Sequence, residues 1–342
     1  MRVSFIVPCY NVSKTVLRCL DSIYALSISE EDFEVIAVND ASTDDTLHIL
    51  QKYQQEHPNL VLLNHLVNRN LGAARNTGLS IAKGESIAFV DSDDEVGSGM
   101  REAIRIMEER DLDMVAMRVD RVSEQGENVG GFALPLSYES VFSGIWLQEK
   151  HPFWNLGGCT SYLYSKALLE KVRYPFVEGA FFEDADFVYC HLYYADKLSY
   201  SDKCGYLQIT NPASITHTFS YKHIFGYAFL GTRMLRLFES LDDKSSQFAR
   251  SILNGGSYNL MEAFKRLLRL GSFSEVRSFY NLLDSKIDRK SFCHYREPAL
   301  YWTWWTKLGV RHRGVMTLIC GSFASMHLLE FKNYLKRRIK SQ

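Results

Sequence analysis

The sequence predicts an α/β fold built on an open, doubly wound, mostly parallel sheet, followed by a helical C-terminal region. Over residues 1–120, short apolar runs alternate with segments whose apolar residues recur at helical spacing. From about residue 221 the helical spacing continues without such runs. Because strands that alternate with helices pair in parallel, the first part predicts a doubly wound sheet. We therefore divide the chain into residues 1–120, 121–220 and 221–342.

Each element of the first part follows from one of these two patterns. Five apolar runs are typical of buried parallel strands. In chain order they span residues 3–8, 34–39, 60–64, 86–90 and 114–119. The segment after each of the first four runs places apolar side chains on one helical face. These predicted helices span residues 16–24, 46–53, 72–82 and 100–107. Residues 121–220 are less regular and mix aromatic residues, glycines and short apolar runs.

Composition and charge exclude several classes of protein and divide the chain in two. With 46% hydrophobic and 23% charged residues among 342, the chain is neither disordered nor of low complexity. Its seven scattered cysteines include no CxxC pair, which argues against a disulfide framework and a zinc ribbon. Residues 1–220 have a net charge of −13 and residues 221–342 a net charge of +12. The acidic part suits metal ions, and the basic part suits an anionic partner.

The C-terminal segment is the candidate for that partner. Residues 302–342 hold eight Lys and Arg against one acid, around a mostly apolar run at 315–326. The run is too short to cross a bilayer but fits a segment on a membrane surface. A helical bundle with an exposed basic face fits equally well. No nucleic acid is expected, because no recognisable motif accompanies the charge. Without a spanning stretch or a signal-peptide pattern, we expect a cytoplasmic protein, peripheral on the inner face of the membrane if the surface interpretation holds.

Polar segments follow the predicted strands, at the edge where doubly wound sheets bind ligands. They span residues 8–11, 39–45, 70–76 and 91–94. The last segment, Asp91-Ser92-Asp93-Asp94, holds three carboxylates, which repel one another unless they share a cation. Such oxygen ligands suit Mg²⁺ or Mn²⁺ bridged to phosphates. Taken alone, a solvated acidic turn that caps the next helix explains this segment equally well.

Together and in this order, the four segments resemble the N-terminal half of family 2 glycosyltransferases with the GT-A fold. The resemblance rests on FIVPCYN, EVIAVNDASTDDT and NLGAARNTGLSIAKGESIAFVDSDD. It covers about residues 1–95 and returns near residues 180–217. It implies a Rossmann-like sheet and a nucleotide-sugar donor, usually a UDP-sugar.

The resemblance assigns the base of the donor to the first two segments. Tyr10 would lie against the base, with Pro8 beside it, because a flat ring stacks on a base. The alternative for Tyr10 is a core tyrosine. Asp40 would accept a hydrogen bond from the ring N–H of the base. Its alternative is a helix cap, a role for which Ser42 and Thr43 are better placed.

The resemblance assigns the binding of the diphosphate and the metal to the third and fourth segments. Arg75 would contact the phosphates or orient Asp91, and a surface salt bridge is a comparable alternative. Asp91 and Asp93 form the DxD pair, with Ser92 between them in the donor site. They would hold Mg²⁺ or Mn²⁺, which neutralises the charge that builds on the diphosphate as the bond to the sugar breaks. His217 stands where some members have a metal-binding histidine, although a loop histidine without a ligand is the more common state.

The pair Glu183-Asp184 resembles the family's acidic motif, which opens a helix beneath the acceptor. By that match Asp184 is the base that takes the proton of the acceptor hydroxyl, and Glu183 supports it or binds the acceptor. Acids that complement a helix dipole would look the same. Trp154, Gly157 and Gly158 are candidates for the acceptor pocket, and a core tryptophan accounts equally well for Trp154.

These residues lead to one expected function with two alternatives. A single base implies inversion, and the lack of a Q-x-x-R-W segment favours one sugar per event. Ala41 stands where glycine is usual, which predicts a turn without positive φ. We expect an inverting, metal-dependent glycosyltransferase that moves a sugar to a hydroxyl of a glycan or glycolipid in cell-surface polysaccharide synthesis. A sugar nucleotidyltransferase would show a glycine-rich, basic loop after the first strand. A non-catalytic nucleotide-sugar-binding protein is the other alternative.

Overall fold

The structure is a computed structural model that describes residues 2–133, 141–143, 158–210 and 221–270. Within these ranges ten strands form one sheet in the order β3-β2-β1-β4-β9-β6-β10-β5, with β7 paired to β6 and β8 to β10. The strands are β1 (Val3–Cys9), β2 (Phe33–Asn39), β3 (Leu60–Asn64), β4 (Ser86–Phe89), β5 (Glu95–Val96), β6 (Met114–Ser123), β7 (Asn128–Phe132), β8 (Val141–Ser143), β9 (Tyr162–Ser165) and β10 (Lys197–Thr210). The helices are α1 (Val16–Tyr24), α2 (Thr46–Glu56), α3 (Asn70–Ile81), α4 (Gly99–Arg110), α5 (Lys166–Val172), α6 (Ala185–Tyr194), α7 (Tyr221–Ser240) and α8 (Gln247–Leu270).

The sheet is mixed, and most of its strands run in one direction. β1 pairs in parallel with β2 and β4, and β2 with β3. β9 then enters antiparallel between β4 and β6, and β10 lies parallel to β6. The carboxyl ends of β1, β2, β4, β6 and β10 therefore face the same edge. The predicted mostly parallel sheet is confirmed, but the fifth predicted strand extends to Ser123 and does not pair with β4.

Both faces of the sheet are covered, which explains why its first strands are mostly apolar. Every residue of β1 and β2 is buried. Along β1, Val3, Phe5 and Val7 join a cluster that includes α1, α2 and α4. Ile6 joins the cluster on the other face, with residues of α3, α5, α6, α7 and α8. The result is three layers, in which α7 and α8 pack on the same core as the sheet.

Two expectations about the first part of the chain need comment. Ala41 adopts φ of 58°, so the expectation that this turn avoids positive φ is wrong. The chain reverses directly after β2, where the Asn39 side chain accepts a hydrogen bond from the Ser42 N–H and closes the turn. Among the described residues, no helix combines the length and apolarity that crossing a bilayer requires. The basic segment 302–342 lies outside the described residues.

Candidate active site

The predicted donor segments meet at the carboxyl edge of the sheet. Tyr10 follows β1 and is 48% exposed, so the alternative of a core tyrosine is wrong. Pro8 is buried inside β1, opposite Val38. Ser92 is buried beneath the acidic turn, beside the thiol of Cys9. Tyr10 is therefore exposed at this edge, whereas Pro8 and Ser92 are buried.

The acidic turn after β4 holds its three carboxylates in different environments. The Asp94 N–H donates to the Asp91 carbonyl at 3.0 Å and closes the turn. The Asp91 side chain is 31% exposed and Asp93 also reaches solvent, whereas Asp94 is buried. Desolvation and then the charge of Asp91 raise the pKa of Asp93. Burial, followed by the charges of Asp91 and Asp93, raises the pKa of Asp94 to about 8. The repulsion expected from the sequence is therefore present.

The two carboxylates that reach solvent, those of Asp91 and Asp93, fit a divalent cation whose remaining coordination positions are filled by a bound ligand. Mg²⁺ in particular is commonly held by one or two carboxylates plus substrate phosphates. Asp91 and Asp93 supply oxygen donors of that kind at the solvent-facing side of the turn. Within the described residues no group of three His, Cys, Asp or Glu side chains could hold a metal. His217 lies outside the described residues.

Arg75 joins this turn to the predicted base segment. It projects from α3, is 2% exposed, and donates through Nη2 to Oδ1 of Asp91 at 2.6 Å. Its Nη1 donates to Oε1 of Glu183. The guanidinium also lies 5.4 Å from the ring centroid of Phe176. Burial alone would lower the pKa of Arg75, but the Cys159 thiol and the nearby carboxylates raise it well above its ordinary value. The alternative of a surface salt bridge is therefore wrong.

Glu183 and Asp184 lie at the start of α6 in distinct roles. Burial raises the pKa of Glu183 to about 7 against the effect of Arg75, and the Asp184 charge adds to the rise. Asp184 occupies the position before α6 but makes no capping hydrogen bond there. Instead its Oδ2 accepts the Cys159 N–H at 3.0 Å. A helix-capping role therefore does not explain the position of the Asp184 carboxylate.

The segment before this pair is held under strain. Phe182 adopts φ of 60°, a conformation that bulky side chains rarely take and that structures retain where the surroundings enforce it. Asn76 of α3 fixes the segment by a pair of hydrogen bonds with the backbone of Phe176, at 2.9 and 3.0 Å. Gly158 lies next to Asp184, whereas Trp154 and Gly157 lie outside the described residues. α3 therefore holds the loop that carries the predicted base.

Asp40 has a contact pattern that the sequence argument set aside. Its carboxylate is 2% exposed and accepts the backbone N–H groups of Arg69 and Asn70, so it caps α3. Oδ1 also lies 2.6 Å from Nδ1 of His65. These contacts occupy the acceptor positions of the carboxylate, and a direct bond to a donor base would have to displace one. Asp40 precedes α2 in the chain, so no local pattern connects it to the start of α3, 30 residues further along.

The expected caps of α2 are also wrong. The helix begins at Thr46, three or four residues after Ser42 and Thr43. Asp44 takes the role, because its Oδ1 accepts the Thr46 N–H at 3.0 Å and the Thr46 hydroxyl at 2.6 Å.

Tyr206 is a site residue that the sequence argument missed. It lies on β10, more than 100 residues from the acidic turn, in the part of the chain with no regular pattern. Its hydroxyl donates to Oδ2 of Asp94 at 2.7 Å and accepts the Asp91 N–H at 3.1 Å. A buried tyrosine in a strand of mixed polarity has no local signal for such a role. It becomes visible only once β10 is placed beside β5.

Comparisons with known proteins agree with this geometry. Residues 4–153 match the family model described as Glycosyl transferase family 2. A Poly(ribitol-phosphate) beta-glucosyltransferase of Bacillus spizizenii is 44% identical over 99 residues, which is 29% of this chain and 16% of that protein. The matched parts of the next two curated relatives are 34% and 32% of their lengths. The chain therefore corresponds to about a third or less of these relatives.

Solved structures show the same fold. The crystal structure of S. aureus TarS 1–349 in complex with UDP-GlcNAc matches with a TM-score of 0.61 at 24% identity, over 83% of this chain and 80% of that one. The mannosyltransferase PcManGT from Pyrobaculum calidifontis, in complex with GDP-Man and Mn²⁺, matches with a TM-score of 0.50 at 16% identity, over 90% and 88%. Together with the sheet order, they establish that this chain has the GT-A fold, and residues 4–153 are similar to glycosyl transferase family 2.

Proposed function

We propose that this chain is an inverting, metal-dependent glycosyltransferase that moves a sugar from a UDP-sugar to a hydroxyl of a glycan or glycolipid acceptor. The observation that carries the proposal is the buried Arg75, which contacts Asp91 on one side and Glu183 on the other. The Arg75 guanidinium thereby connects Asp91, a carboxylate suited to a metal–diphosphate group, with the segment that carries the candidate base. A sugar nucleotidyltransferase is not supported, because the family match is to glycosyltransferases.

The donor side is supported by exposed groups of suitable chemistry. Tyr10 offers an exposed aromatic ring after β1, and the buried Pro8 and Ser92 belong to the donor segments 8–11 and 91–94. Asp93 and Asp91 would hold Mg²⁺ or Mn²⁺, and such an ion supplies charge neutralisation at the leaving diphosphate. The UDP-GlcNAc of TarS and the Mn²⁺ of the archaeal mannosyltransferase support this assignment. Asp40 acts here through the start of α3, and His217 is proposed as a further ligand.

On the acceptor side, Asp184 would take the proton of the attacking hydroxyl. An alcohol needs such a base, and a carboxylate within hydrogen-bond reach serves. The Cys159 N–H fixes the orientation of the Asp184 carboxylate at the start of α6. Glu183 already accepts a hydrogen bond from Arg75, so we assign it the role of positioning Arg75 and the base segment, and not that of accepting the proton. With one base and a direct attack, the anomeric configuration inverts.

The acceptor class follows from the relatives and from the basic segment. The curated relative acts on poly(ribitol-phosphate), which supports a cell-surface polymer as the acceptor. We also propose that residues 121–220 contribute the acceptor side of the site. Residues 302–342 would bring the enzyme to the cytoplasmic membrane surface, where a lipid-linked acceptor is presented.

The test measures UDP release by the purified chain from a panel of UDP-sugars, with and without a poly(ribitol-phosphate) acceptor, in Mn²⁺ or EDTA. We expect one donor to be turned over, and EDTA and Asp93→Ala each to abolish the turnover. Glu109→Ala, which removes an exposed acid from α4, should leave it unchanged. Asp184→Asn keeps an oxygen for the Cys159 N–H but removes the base, so transfer should stop while calorimetry still detects UDP binding.

Three outcomes would contradict parts of this proposal. Tight UDP-sugar binding without turnover for any acceptor would favour the non-catalytic binding protein. Full activity in EDTA would contradict the proposed metal dependence. A product with retained anomeric configuration, determined by NMR, would remove the single-base mechanism and require a nucleophile beneath the sugar.

A further inference from the structure

The acidic turn after β4 is held from behind by β10. The Tyr206 side chain is 1% exposed, and its hydroxyl stands between Asp91 and Asp94. It accepts the Asp91 N–H at 3.1 Å and donates to Oδ2 of Asp94 at 2.7 Å. The Ile209 N–H donates to Oδ1 of Asp94 at 2.8 Å. Both ends of the turn are therefore fastened to one strand, and Asp93 lies between the fastened residues.

These hydrogen bonds stabilise a turn whose own carboxylates disfavour its conformation by mutual repulsion. Three carboxyl groups within four residues disfavour one another's charged forms, and the ion pair with Arg75 involves Asp91. A buried hydroxyl and a backbone N–H stabilise the innermost carboxylate, Asp94, and keep it pointing away from solvent. The two outer carboxylates then project from a fixed backbone. A preorganised pair of oxygen ligands binds a cation more tightly than a pair that must first be ordered.

We propose that Tyr206 is a positioning residue for the metal–diphosphate site, acting through its hydroxyl on the backbone of Asp91 and on Asp94. The proposal rests on the metal-dependent function proposed above. Tyr206 does not itself touch the cation or the donor in this arrangement. Its ring fills the apolar cluster on one face of the sheet, and the hydroxyl alone reaches the turn.

The hydroxyl can be removed while the ring stays in place. Tyr206→Phe keeps the ring in its cluster and deletes both hydrogen bonds to the turn. Tyr200→Phe is the matched control, because Tyr200 is a fully buried tyrosine of the same strand that packs in the cluster on the opposite face. Melting curves and UDP affinity in EDTA establish that both variants are folded with an intact nucleotide pocket.

The deciding measurement is a Mn²⁺ titration followed by electron paramagnetic resonance in saturating UDP. We expect the Kd for Mn²⁺ to rise about tenfold in Tyr206→Phe, the order of magnitude that the loss of buried hydrogen bonds produces, and less than twofold in Tyr200→Phe. The Mn²⁺ concentration for half-maximal activity should rise by the same factor. Equal Mn²⁺ affinities of wild type and Tyr206→Phe would overturn this inference alone. A wild type that binds no Mn²⁺ in UDP would overturn the metal assignment and this inference with it.

Discussion

A Cβ atom on Gly158 would stand 2.4 Å from Oδ2 of Asp184, well inside contact distance. The backbone of Gly158 has φ of −77°, which alanine adopts without strain. The atom in the way is the end of a side chain, so Asp184 is the group that must move. Substitution here therefore tests the proposed base by displacement, without changing its chemistry.

We predict that Gly158→Ala lowers the rate of sugar transfer about 100-fold, because a displacement of about 1 Å in a reacting group has an effect of that order. UDP-sugar affinity and melting temperature should change little. Steady-state kinetics and calorimetry measure the two effects separately. Gly72→Ala provides the contrast, since its Cβ would meet the Val177 carbonyl oxygen at 1.9 Å and backbone cannot swing aside. That variant should lose stability. A wild-type transfer rate in Gly158→Ala would argue against Asp184 as the base.

Arg75 is predicted to be the most sensitive single position for stability among the site residues. Arg75→Met keeps much of the side-chain volume but leaves Glu183 buried without its cation, and breaking a buried pair lowers the free energy of unfolding by about 3 kcal/mol. Urea denaturation measures the loss. Arg105→Met is the control, because Arg105 bridges Glu102 and Glu109 on the exposed surface of α4 and should matter little. Equal stabilities of the two variants would show that the Arg75 bridge contributes nothing.

The raised pKa of Glu183 predicts a specific pH dependence of stability. Burial, as the leading cause, places this pKa at about 7, above the ordinary value of 4.5. Between these values the folded chain binds more protons than the unfolded one. The contribution of Glu183 to stability therefore falls as the pH rises from about 4.5 to about 7, by at most about 1.4 kcal/mol per pH unit. Glu183→Gln, which keeps an oxygen for Arg75, should gain stability relative to wild type across this window. Parallel stability curves for the two proteins would contradict the shift.

The turn after β2 predicts a stabilising substitution. Ala41 adopts φ of 58°, where a Cβ costs roughly 1–2 kcal/mol. Glycine removes that strain, but it also raises the conformational entropy of the unfolded chain, which costs about 0.4–1 kcal/mol of stability. Ala41→Gly should therefore raise the free energy of unfolding by up to about 1.6 kcal/mol, measured by urea denaturation. Ala25→Gly is the control, since Ala25 has φ of −71° and glycine should destabilise there.

The parts of the fold that depend on local pattern could be predicted from the sequence. Residues 60–64 coincide with β3, and the predicted strands that correspond to β1, β2 and β4 agree with the structure to within one residue at each end. The strand predicted at 114–119 is β6, which extends further, and β10, although parallel, was not predicted. Burial on both faces makes such strands mostly apolar, so the signal is strong. β9 was not predicted, because its four residues lie in a region rich in aromatic side chains and enter the sheet from a distant part of the chain.

The candidate site shows the same division. Arg75 and Asp91 were paired because they belong to neighbouring motifs, and the structure places them in contact. The cap that Asp40 provides for α3 crosses 30 residues, and the bond from Tyr206 to Asp94 crosses 112. No periodicity connects residues at such separations. They meet because strand order brings them together, and strand order is a property of the whole sheet.

One helix contacts both halves of the proposed site. α3 is capped by Asp40 at its start, carries Arg75 between the two carboxylates, and fixes the base loop through Asn76. A guanidinium shared by two sites makes them thermodynamically linked, because what strengthens its bond to one carboxylate alters its bond to the other. Linkage is reciprocal, so an acceptor that tightens donor binding must itself bind more tightly to the donor complex, by the same factor. The order in which the two substrates arrive then changes the path but not the total free energy of the ternary complex.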